Sequence, residues 1–166
     1  LRGAGAYHGE MNRRVFVGVL GCVVLLGGGL LIERVLVSDE ERVERAYDRL
    51  RSAVQDESST GLQAMLTDDF SFSGPQPVGT GDRAGVVARF EEFWGLADRV
   101  GLLPRGSKEI AVAGGIATLR IPQIVRFHYG DQFIAYRVDA VLTFDRIGDE
   151  FVLAQIEVTD LRPGIL

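Results

Sequence analysis

Two histidines, His8 and His128, and one cysteine, Cys22, are all the imidazole and thiol in this 166-residue chain. A zinc site built on histidine, or a nucleophile–histidine–acid arrangement, needs several such groups converging. No metal and no cofactor is therefore expected, and one cysteine closes no disulfide within a chain. The groups left to move a proton are few. Asp68 and Asp69 are adjacent carboxylates, read as lying in a polar turn after a helix, where capping and solvation account for them. Asp139 sits on a strand beside Arg137, and a solvated or interface ion pair accounts for it. His128 lies at a strand end near a turn; as a general base it needs an orienting acid, and none is evident. Asp69, His128 and Asp139 are the polar candidates if the protein is catalytic. Tyr47, Phe72, Phe90, Trp94 and Tyr136 are candidates to line a pocket, although aromatics at such spacings also build cores.

Composition narrows the partners. The formal net charge is −5, and residues 1–37 hold four Arg and two acids. The chain from Ser38 onward is left with 14 basic and 21 acidic groups. A surface that neutralises phosphates needs the opposite balance, so nucleic acid is not expected as a partner.

The chain divides near residue 37. Residues 1–14 read as an N-terminal tail, of which 1–10, preceding Met11, need not be native. Val15 to Ile32 is 18 residues without a charge, followed by Glu33, Arg34 and Val35-Leu36-Val37. A bilayer core takes roughly 20 apolar residues as helix, so 15–37 is expected to be a transmembrane anchor. A cleaved signal has a shorter apolar core and a small-residue cleavage site, which is not visible here. Val19-Leu20-Gly21-Cys22 is similar to a lipobox, but the apolar run before it is short and continues well past the cysteine. Arg13 and Arg14 flank the span and keep that side cytoplasmic. The expected location is the inner membrane, single-pass, with residues 38–166 forming an extracytoplasmic domain.

Three helices open that domain. Ser38-x-x-Glu41 is a capping-box pattern, and Val43, Ala46, Tyr47, Leu50 and Val54 recur at helical spacing. Thr60-x-x-Gln63 predicts a short second helix carrying Leu62, Met65 and Leu66. Phe70 and Phe72 mark a short strand, and "GPQPVGTGD" reads as a loop. Asp82 is placed to cap a third helix with Val86, Val87, Phe90, Phe93 and Trp94 on one side. From Ser107 the period becomes two. Ile110 and Val112, Ala117 to Phe127, Ile134 to Phe144 and Val152 to Val158 predict a four-stranded antiparallel meander. Gly114-Gly115, Gly130-Asp131 and Gly148-Asp149 are its turns, and Pro122 suggests an edge or a bulge. The even-numbered residues Ile134 to Phe144, with Val152, Ala154, Ile156 and Val158, are expected to face the helices. The opposite choice buries Arg137, Asp139 and Glu157. The fold class is α+β.

"LTDDFSFSGP", "GDRAGVVARFEEFW" and "YRVDAVLTFDRIGDEFVLAQIEVTDLRP", in that order, resemble the NTF2-like superfamily, which includes SnoaL-like and ketosteroid-isomerase-like proteins. The resemblance covers roughly residues 40–163. It implies a cone in which three helices pack on a curved antiparallel sheet around a pocket, and a homodimer through the outer sheet face. It also implies where an isomerase base belongs, just before the proline that follows the Asp-Asp segment. That place is Gly74, which cannot carry a proton. Tyr47 matches the subgroup's oxyanion donor. The expected function is a non-catalytic, membrane-anchored module that binds a small apolar ligand or a partner protein. The alternatives are a tethered SnoaL-like or isomerase-like enzyme, or an assembly subunit of a secretion-type machine.

Overall fold

The computed structural model describes residues 37–164. The expected tail 1–14 and residues 15–36 of the expected membrane span lie outside the described residues. Within them no helix is long and apolar enough to cross a membrane. The chain from Asp39 onward forms a compact unit of its own.

Helix α1, Asp39–Gln55, starts with Asp39, Glu40 and Glu41 in its first turn, where the helix dipole favours negative charge. Its stripe of Val43, Ala46, Tyr47, Leu50 and Val54 is buried. Helix α2, Ser59–Ala64, is capped by Ser58, whose Oγ accepts from the Gly61 N–H at 3.0 Å. The cap is therefore Ser58, two residues before the expected Thr60, because it is the Ser58 hydroxyl that reaches a free N–H of the first turn. Strand β1, Leu66–Gly74, follows directly. Asp68 and Asp69 lie on this strand, both exposed, and not in a turn. Strand β2, Gly79–Asp82, pairs with β1 and leads into helix α3, Arg83–Leu96. Asp82 caps α3 as its position suggests, accepting from the Gly85 N–H at 2.9 Å.

Five more strands complete the sheet: β3 Arg99–Pro104, β4 Glu109–Ala113, β5 Ile116–Tyr129, β6 Gln132–Ile147 and β7 Glu150–Pro163. The order is β2-β1-β7-β6-β5-β3, with β4 beside β3 on the same flank of β5. The expected four-stranded meander is therefore the long part of a seven-stranded sheet. β1 joins it in parallel with β7, and every other pairing is antiparallel. The "GTGD" segment, expected as loop, is extended because β1 offers it an edge. At Gly114 and Gly115 φ is +59° and +83°, the left-handed conformation that a two-residue hairpin turn requires.

Pro122 is neither at an outer edge nor a bulge. It pairs with Asp139 on one side, and its carbonyl accepts from the Arg105 N–H on the other, at 2.8 Å. That other side is where β5 changes partner from β4 to β3. In a strand a residue's nitrogen and carbonyl point the same way, so the missing N–H falls where no ladder bond is needed.

The face expected to meet the helices does so along the middle of β6, where Val138, Ala140, Leu142 and Phe144 are buried. Ile134 lies beyond the helices, half exposed. On β7 the expected face is wrong at its start. Phe151 and Leu153 are buried, at 2% and 1% exposure, while Val152 and Ala154 are not. The register against β6 slips between Thr143 and Phe144, and again between Asp139 and Ala140. Each slip inserts a residue into β7, Ala154 and then Thr159, and a bulge reverses which parity faces in. Odd residues point inward before Ala154, even residues Ile156 and Val158 between the bulges, and Leu161 after them. The bulges bend β7 and help curve the sheet around the helices.

Candidate functional site

The concave side of the sheet is not filled. Between it, α1, α3 and the β1–β2 loop lies a cavity of about 410 Å³, within the range of small-ligand sites. Its walls are overwhelmingly aliphatic and aromatic. Leu50 and Val54 come from α1, Val86, Phe90 and Phe93 from α3, Val138, Ala140 and Leu142 from β6, and Ile156, Val158 and Leu161 from β7. Pro77 and Phe93 are exposed as well as lining, which places the mouth between α3 and the β1–β2 loop.

Of the aromatics singled out in the sequence, Tyr47, Phe72, Phe90 and Tyr136 line this cavity. Trp94 does not. It turns toward α1, donating from Nε1 to the Val54 carbonyl at 3.1 Å, with its ring 5.8 Å from that of Phe90.

The polar candidates are not brought together. Asp69 is exposed on β1. His128 stands on the other side of β5 from Phe127, 5.7 Å from the Phe133 ring. Asp139 lies on the outer face of β6, with Oδ1 3.7 Å from Arg137 Nε, across from Pro122 and Asp160. None of the three borders the cavity.

Four polar side chains do: Tyr47, Gln123, Arg89 and Tyr136. The Tyr47 hydroxyl donates to Gln123 Oε1 at 3.2 Å. Burial pushes its pKa up to about 12, so Tyr47 is a neutral donor near pH 7 and a poor base. Arg89 donates from Nη1 to the Val78 carbonyl, and its guanidinium carbon stands 4.8 Å from the centre of the Phe72 ring. Sequence reading passed over Arg89 and Gln123, though both were legible. Gln123 falls between Ile121 and Val125 on the inward parity of β5, and Arg89 lies three residues after Val86 and four before Phe93.

Gly74 also bears on the chemistry. A Cβ built there meets Val78 Cγ1 at 2.8 Å and Val158 Cβ at 2.9 Å. Two cavity-lining valines thus occupy the place into which a side chain at this position has to grow. Among the described residues no cluster of His, Cys, Asp or Glu can hold a metal.

No family model and no curated protein matches the sequence. Solved structures do match its fold. A protein provisionally named a scytalone dehydratase from Novosphingobium aromaticivorans superposes with a TM-score of 0.66 at 14% identity, over 81% of this chain and 89% of that one. An NTF2-like protein with a cystatin-like fold from the same organism gives 0.63 at 19% identity, over 81% and 86%. An NTF2-like protein from Cytophaga hutchinsonii gives 0.61 at 14%, over 74% and 98%. Likeness at these identities speaks for architecture alone: the described chain has the NTF2-like fold, an α+β cone of three helices on a curved, largely antiparallel sheet.

Proposed function

We propose that this chain is a non-catalytic binding module that takes a small apolar ligand into the cone, held at a membrane by residues 15–37 with its domain on the extracytoplasmic side. The observation that carries the binding part is the composition of the cavity wall. Its 23 lining residues include no Asp, Glu, His, Cys, Ser, Thr or Lys. Apolar surface facing water is unfavourable by roughly 25 cal/mol per Å², so a matching apolar guest gains by covering it. A neutral ligand such as lauryl alcohol is expected to raise the melting temperature of the chain from Ser38 onward. Ala140→Phe, which fills the space from β6, is expected to abolish that shift while the protein still melts cooperatively. No shift for any apolar ligand, or an equal shift in the filled variant, argues against binding in the cone.

A tethered enzyme is the second reading. The Tyr47–Gln123 pair favours it, as does a structural neighbour with a provisional dehydratase name. Against it stands the lack of a carboxylate or imidazole base, since no Asp, Glu or His lines the cavity. Tyr47 stays protonated, Gln123 does not titrate, and Arg89 does not give up its proton in a protein.

The membrane part rests on the apolar run and on Arg13 and Arg14 before it. In a bacterial host, protease added to intact spheroplasts is expected to digest the domain. Protection until lysis reverses the topology.

A further inference from the structure

This inference rests on the binding reading above and adds the class of ligand. Arg89 is the one ion among the residues lining the cavity. No ion pair of the described residues includes it. One contact to the Val78 carbonyl and one to the Phe72 ring hold its plane. A guanidinium carries five N–H groups, so most of its donors have no protein acceptor. It is half-buried on α3, one turn from Phe93 at the mouth.

A half-desolvated cation without a counter-charge is costly. The rest of the domain is rich in acids, yet among the described residues none forms an ion pair with it. A fixed, planar fork of donors at the entrance of an apolar cleft matches a carboxylate, whose two oxygens accept parallel N–H groups. We propose that the ligand is an apolar molecule ending in a single carboxylate, its hydrocarbon body in the cone and its carboxylate on Arg89.

The test compares three probes that share a chain and differ in head group: laurate, lauryl alcohol and laurylammonium. Their affinities for the protein from Ser38 onward are measured by calorimetry. Laurate is expected to bind about tenfold more tightly than the alcohol, the ratio one charge-assisted pair supplies, and laurylammonium more weakly than either. Arg89→Gln is expected to bring laurate to within about twofold of the alcohol while leaving alcohol binding in place, which also reports that the variant is folded. Arg89→Lys, a point charge without the planar fork, is expected to restore only part of the preference. Equal affinity for laurate and alcohol in the unaltered protein overturns the carboxylate inference and leaves apolar binding standing. Failure of all three probes to bind overturns both.

Discussion

Phe151→Ala is expected to lower the unfolding free energy by about 3–5 kcal/mol, the usual cost of truncating a fully buried phenylalanine. Val152→Ala, the next residue, is expected to cost under about 1 kcal/mol, as half-exposed positions do. The contrast follows from the bulge at Ala154. Before it, Phe151 and Leu153 point into the core, and Leu153 lies across from Phe144, which is 1% exposed. Val152 lies across from Asp145 on the outer face. Phe151 sits away from the cavity, so no existing space adjoins it to soften the loss. Phe90 differs: its ring already borders the cavity, and its truncation is expected to enlarge that space at lower cost. Urea melts of the chain from Ser38 onward measure the pair. Equal costs for Phe151→Ala and Val152→Ala mean that β7 keeps one phase throughout and that the bulge is misplaced.

The second large effect is expected at Gly74. Gly74→Ala is expected to destabilise the domain by about 1–3 kcal/mol, the cost of forcing an extra carbon into a packed site. Val158 is held in β7 between two neighbours and cannot retreat freely; Val78, in the short loop after β1, has to move instead. Gly74→Asp is expected to cost more, because the carboxylate is driven between the same apolar side chains and loses hydration there. No steroid isomerisation is expected from the parent or from Gly74→Asp. A base acts only where a preorganised site stabilises the charge that develops. The one buried phenol in the cone, Tyr47, already spends its proton on Gln123. Turnover by the parent, or a Gly74→Ala variant as stable as the parent, removes the steric argument against catalysis.

Much of the fold was legible along the chain because local periodicity is a local property. The buried stripe of α1, the cap at Asp82, the hairpin glycines at 114, 115, 130 and 148, and the inward parity of β5 and β6 all follow from residue types within a few positions of one another. The scarcity of histidine and cysteine was equally plain in the sequence and limits the chemistry without any structure. What the tertiary structure alone decided depends on partners distant in sequence. β2 is a strand only because β1 lies beside it, and β1 joins the sheet only through its parallel pairing with β7, some 80 residues later. β3, with a glycine and a terminal proline in six residues, has too little alternation to announce itself. Strand parity is a reliable guide only while the ladder is unbroken, and the residue at which Ala154 resets it is chosen by the fit of β7 against β6. The cavity belongs to the same class. Its walls come from both long helices and most of the strands, and the volume left between them depends on how the curved sheet and the helices meet, which no periodicity encodes.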